Sequence, residues 1–162
     1  MPTDFARKLD NASDWWMVRG ERGSLWPTLF QPRQVVAHGT LVAKFPIGAD
    51  LETRERALGS LDAYGKREVN LFLDDMDTDH IIITPDAGSH AAWLGVVTSE
   101  PFSDHTIGHW MQRSCTWHPA LIPLTPAAAA ALNKGQLGTV FNMAAHAADL
   151  RESFKLAAAA TP

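Results

Sequence analysis

At 162 residues, 46% apolar and 20% charged, with a formal charge of −4, the chain has the size and composition of one globular domain with an ordinary core. No apolar run approaches the ~20 residues of a membrane span, and the opening Met1 to Phe5 has no apolar leader segment, so neither membrane insertion nor secretion is expected. A single cysteine, Cys115, excludes an internal disulfide, and a reducing cytoplasm is the expected compartment.

Residues 1–14 are polar and mixed and read as a flexible lead-in to a domain spanning 15–146. Trp15 to Arg19 has the unbroken apolar character of a buried strand, and the glycines at 20 and 23 break it. Trp26 to Phe30 reads as a short helical turn after Ser24, with Pro27 near its first turn. Val35 to Gly39 is a second strand. Over 50–75, Leu51, Ala57, Leu58, Leu61 and Tyr64 recur at roughly helical spacing, with an interruption expected at Gly65. The acidic run from Asp74 to Asp79 is read as a turn; it lacks the ligand spacing and closing Glu of an EF-hand loop.

His80 to Thr84 is β-branched and apolar, Pro85 to Ser89 has turn composition, and Ala91 to Thr98 returns, so a hairpin is expected. Residues 99–108 read as a loop and Trp110 to Trp117 as another strand. Thr125 caps a helix opened by Pro126 and continued by alanines to Leu132. A short element at 139–143 and an alanine-rich helical tail over 147–162 close the chain. This order gives an α+β domain, with a small, curved, mostly antiparallel sheet flanked by helices.

The charge is uneven along the sequence. Ten of the fourteen Lys and Arg fall in residues 1–67, and residues 68–104 hold eight acids and no base. The negative total argues against strong non-specific binding to nucleic acid, while a local basic face stays compatible with it. Six tryptophans are many for this length: Trp15, Trp16, Trp26, Trp93, Trp110 and Trp117. Trp joins a flat apolar face to one N–H donor, which suits a core and a base-stacking pocket alike, and one or two of the six are expected to line a site.

Three stretches taken in order carry a resemblance. They are Trp16 to Gly23 with Val35 to Gly39; Asp79 to Pro85 with Leu94 to Thr98; and Arg113 to Trp117 with the Pro126 helix and Thr139 to Phe141. Over roughly 15–143 the series resembles the N-terminal modules of Mrr-type restriction endonucleases, which are similar to EVE and YTH domains of the PUA-like fold. The resemblance implies a non-catalytic reader that holds a modified base, for example a methylated one, flipped into an aromatic cage. It implies DNA carrying that base as partner, a nuclease acting beside it in restriction or defence, and no cofactor. Two positions depart from the family pattern. Thr40 follows Gly39 where Trp is frequent, and His38 stands where a small or aliphatic residue is usual, which implies a different ligand.

On this reading Trp16, Trp93, Trp110 and Trp117 supply the slot. His38, Gly39, Thr40, Thr84 and Asp86 offer polar contacts near strand ends, and Arg19, Arg22 and Arg113 meet phosphates. A free or signalling nucleotide is the alternative ligand, since it needs a pocket without an extended basic face. A metal-dependent hydrolase is a third reading, using the acidic run or the H-x3-H-x5-C-x2-H spacing of His105, His109, Cys115 and His118, which matches no standard zinc finger. No nucleophile elbow, P-loop, His-Glu-x-x-His or Rossmann glycine pattern is present.

Overall fold

The computed structural model describes residues 2–20, 25–38, 44–88, 90–133 and 139–160. Among them, eight strands form one sheet: β1 (Trp15–Val18), β2 (Val35–His38), β3 (Ile81–Pro85), β4 (Ala91–Val97), β5 (Phe102–Ser103), β6 (Met111–Trp117), β7 (Ile122–Pro123) and β8 (Val140–Asn142). The order is β2-β6-β4-β3-β1-β8, with β5 beside β6 and β7 beside β4. Only β1 and β3 run parallel, so the sheet is mostly antiparallel, and it curls into a half-barrel. The bend lies in β6, whose first half pairs with β2 through Met111 to Ser114 and whose second half pairs with β4 through Cys115 to Trp117.

Period-two alternation explains why β1, β3 and β4 are apolar throughout, because both of their faces are covered. Trp15, Met17, Ile81, Ile83, Ala92, Leu94 and Val96 pack under a helical layer. That layer holds α1 (Pro2–Asn11), α5 (Pro126–Asn133) and α6 (Ala147–Ala160), which contribute Leu9, Ala128, Leu132, Leu150 and Phe154. Trp16, Val18, Ile82 and Val97 face the inside of the curl, against Phe30, Val36, Phe72, Cys115 and Trp117. No helix among the described residues is long and apolar enough to cross a membrane.

The N-terminal segment differs from its reading as a flexible lead-in, while the tail is helical as read. Residues 2–11 form α1 and bury Leu9, and the tail forms α6, which buries Leu150 and Phe154. Both ends thus help cover the outer face of the sheet. Arg151 ties them together, donating to Leu9 O at 2.9 Å and to Ala12 O at 3.3 Å. The long helical region divides at residues 58–62 and not at Gly65, which lies inside the second helix. α3 (Leu51–Ala57) starts at Asp50, whose side chain accepts from Thr53 N at 2.7 Å, and α4 (Ala63–Asn70) starts at Asp62, whose side chain accepts from Gly65 N at 2.8 Å. The second N-cap makes the break, and Gly65 supplies one of the otherwise orphaned N–H groups of the new first turn. Thr125 caps α5 as read, accepting from Ala128 N at 3.2 Å.

Gly95 is the closest approach in the sheet. A Cβ there would sit 2.5 Å from Cys115 Sγ and 2.8 Å from the Trp117 ring. Its missing side chain is what lets the second half of β6 lie over β4. Gly95→Ala is therefore expected to cost about 1–3 kcal/mol through overpacking, read as a lower urea midpoint at unchanged slope.

Candidate ligand-binding site

Register places a small group of side chains at one end of the curl. Thr84 lies opposite Trp93, and Asp86, two residues beyond Thr84, extends the same inner face. Trp93 is half-buried and stacks on Trp26, with ring centroids 4.6 Å apart and planes 10° from parallel. Trp26 belongs to a π-helical turn, Trp26–Phe30, a geometry that recurs at functional sites because it re-aims side chains. Two polar atoms here are buried without a partner, Trp26 Nε1 and Asp86 Oδ1. Buried polar atoms ordinarily find partners, and these two have none. Thr84 is committed, since its hydroxyl donates to Val18 O at 2.8 Å.

Beside this mouth a polar seam joins β2 to β8. Glu68 of α4 accepts from the backbone N–H of Thr139, from Thr139 Oγ1 at 3.0 Å and from Val140 N at 3.4 Å. His38 closes the cluster, its Nδ1 lying 3.3 Å from Thr139 Oγ1 and its Nε2 3.8 Å from Glu68 Oε2. Because the Thr139 hydroxyl donates its hydrogen bond to Glu68, the neutral imidazole that fits is the Nδ1–H form, donating to Thr139. Burial lowers the His38 pKa to about 4, outweighing the opposing attraction of Glu68. A hydroxyl, an imidazole and a carboxylate also make up acyl-transfer triads, but here the carboxylate itself accepts the hydroxyl's hydrogen bond and those of two backbone N–H groups. That arrangement secures a strand end rather than activating a nucleophile.

The remaining residues expected at a site are elsewhere. Trp16 is 2% exposed and donates from Nε1 to His80 Nδ1 at 3.1 Å. Trp110 is fully buried, with Phe45 and His105 edge-on at 5.1 and 5.0 Å. Trp117 stacks on Phe30 and donates to Val35 O at 3.0 Å. These three rings are core, so they do not wall the slot assigned to them. Arg113, placed on phosphates by its sequence position, is 1% exposed and donates to Phe72 O, Ser99 O and Leu73 O at 3.0 to 3.2 Å. Its guanidinium holds the end of the second π-helical turn, Leu71–Asp75, against the sheet. Arg19 turns to the opposite face from Trp93 and donates to Leu132 O at 3.3 Å. Arg22, Gly39 and Thr40 lie outside the described residues.

The histidine–cysteine spacing does not converge. Cys115 is buried against Gly95, which raises its thiol pKa well above the ordinary value, and His118 packs between Phe5 and Phe154 in the helical layer. Among the described residues, no three His, Cys, Asp or Glu side chains are grouped to hold a metal ion. Sequence reasoning missed Trp26, Glu68 and Thr139. For Trp26 a signal existed, an aromatic beside Pro27 in a turn; for the other two, nothing local marks residues that meet across the fold. Against known proteins, no family model, curated protein or solved structure matches the chain.

Two expectations test this assignment. Between pH 6.5 and about 4 the unfolded chain takes up a proton that folded His38 refuses, so stability present at neutral pH is lost as pH falls through that window. A loss of about 2 kcal/mol is expected between pH 7 and pH 5, and His38→Gln should flatten it in denaturant titrations at those two pH values. Arg113→Met should cost about 3 kcal/mol, because one buried and two half-buried carbonyls lose their donor. A variant that melts normally and loses only ligand affinity would contradict the structural role of Arg113.

Proposed function

We propose that the chain is a non-catalytic binding module for a nucleobase, read in the manner of the EVE and YTH domains it resembles, with Trp93 as the stacking surface and Asp86 as an edge-reading acceptor. The observation that carries this reading is the half-buried Trp26–Trp93 stack with Trp26 Nε1 unpartnered; Asp86, whose Oδ1 is also unpartnered, follows two residues after Thr84, the strand partner of Trp93. Rings 4.6 Å apart leave no space for a third between them, so a base would take the place of Trp26 on Trp93. Trp26 gives up no hydrogen bond in leaving, since its Nε1 has none. A carboxylate acceptor suits an exocyclic amine, as on cytosine or adenine, and a methyl on that base would add roughly 0.8 kcal/mol of apolar burial.

A modified base within DNA is the target that the family likeness favours. A free nucleotide is a second reading, and a specific observation favours it. Arg113 and Arg19, two of the residues assigned to phosphates, spend donors on internal carbonyls, and the net charge is −4. A small ligand needs a pocket and no extended basic face.

Tryptophan fluorescence titration with free nucleotides and with methylated and unmethylated oligonucleotides separates these readings. Trp93→Ala is expected to weaken binding roughly 5- to 150-fold while the thermal transition is retained, matching the loss of one base–aromatic stack. Salt-sensitive preference for methylated DNA supports the base reader, and response to nucleotide alone supports the small-ligand reading. Unchanged affinity in Trp93→Ala sinks both.

A further inference from the structure

Arg54 of α3 stands in the wall between two clefts of about 380 and 390 Å³. Its side chain is only 11% exposed, and its guanidinium lies 6.0 Å from the Phe45 ring centre. One nitrogen is engaged, with Nη1 donating to Asp74 Oδ1 at 2.9 Å. The other two, Nε and Nη2, are buried with no partner at all. These two N–H groups point in parallel from one edge of the planar guanidinium, the pattern that meets two oxygens of an oxyanion at once. A guanidinium has no neutral form to retreat to, so an empty buried edge is a poor end state for folding and a good one for binding.

The two clefts differ in what they offer an anion. The one bounded by Glu100, Asp74, Phe45 and Ile47 presents carboxylates and apolar surface. The one between α3 and α4 presents Lys66 and Asn70 alongside Arg54. Lys66 is exposed and makes no ion pair among the described residues, and Asp74 is already engaged by Arg54. Glu55 also lines this cleft, so its cationic side is the one carrying Lys66.

We propose that the α3–α4 cleft is a phosphate-binding site, in which the Nε/Nη2 edge of Arg54 receives two phosphate oxygens and Lys66 and Asn70 supply further donors. The free edge is out of solvent contact, so on this proposal the side chain reorients toward the cleft as phosphate binds. The site is separate from the Trp93 mouth and does not depend on that reading. The phosphate belongs either to a free nucleotide or to a nucleic-acid backbone.

The test is an NMR titration of the full chain with inorganic phosphate, following the Arg54 Nε–H and Asn70 side-chain amide signals. Saturable shifts are expected. Arg54→Gln should weaken the Asn70 response about ten-fold or more. Lys66→Gln, at an exposed position that leaves the fold alone, should weaken it several-fold, and Asp74→Asn should strengthen it by removing a like charge. Trp93→Ala should leave it unchanged. Repeating the titration with a nucleoside monophosphate and with a short single-stranded oligonucleotide identifies the source, the tighter ligand being the one that carries the phosphate. Shifts that do not saturate, or that are the same in Lys66→Gln and Arg54→Gln as in the parent chain, overturn the proposal.

Discussion

Strand β6 pairs with β2, β5 and β4, and much of the molecule follows from how it does so. Its first four residues pair with β2 and its last three with β4, within a sheet that curls into a half-barrel. Bending brings the side chains of β6 down onto β4, and only a residue without a Cβ fits beneath Cys115 and Trp117. The bend also carries the end of β2 toward the start of β8, at the far side of the sheet order. Among the described residues no ladder pairs these two strands, which leaves backbone N–H groups of Thr139 and Val140 in need of acceptors. The Glu68 carboxylate fills that gap. A buried charge is tolerated there because it receives hydrogen bonds from the backbone and from Thr139 Oγ1.

The same bend decides which polar side chains are free for function. Arg113 sits on β6 where both sheet partners and the Leu71–Asp75 turn converge, and its donors are spent on carbonyls that would otherwise be orphaned. Trp16, Trp110 and Trp117 fill the inside of the curl, two of them with their indole N–H bonded to His80 and to Val35 O. Large rings are the economical way to fill a small curled sheet, so a high tryptophan count says more about the curl than about a ligand. What distinguishes Trp26 and Trp93 is position. They lie at the open end, half-buried, where the inner face runs out of strand to cover it.

The strands were legible because their signal is local. Ile81 to Thr84, the turn at 85–89 and Ala91 to Val97 announce a hairpin through β-branching and turn chemistry, and β3 pairs with β4 as that pattern requires. Thr125 with Pro126 announced α5 for the same reason, since a cap and its first turn are neighbours in sequence. α1 was not legible, because its polar residues hide one buried Leu9 whose partners come from the far end of the chain. Nor was the seam, where His38 meets Thr139 across 101 residues and Glu68 meets it across 71. Of the candidate site, Trp93, Thr84 and Asp86 were named from the hairpin they share, and the Thr84–Trp93 pairing came from its register, whereas Trp26 arrives from a different element by tertiary packing alone.

Electrostatics narrows what the open end can hold. A duplex reader needs several cations facing the backbone, and each one spent inside the fold is lost to that purpose. Arg19, Arg113 and Arg151 all donate to internal carbonyls, and Arg33 and Arg56 pair with Asp104 and Glu52. The eight acids between 68 and 104 lie on the chain that leads into and out of the hairpin bearing Trp93. Of these acids, Asp74, Asp79 and Asp104 pair with Arg54, Lys8 and Arg33, and Glu68 is held by Thr139 and Val140. On the proposed reading, selectivity would come from the edge of the heterocycle, because a carboxylate that accepts a hydrogen bond from an amine repels a carbonyl at the same place.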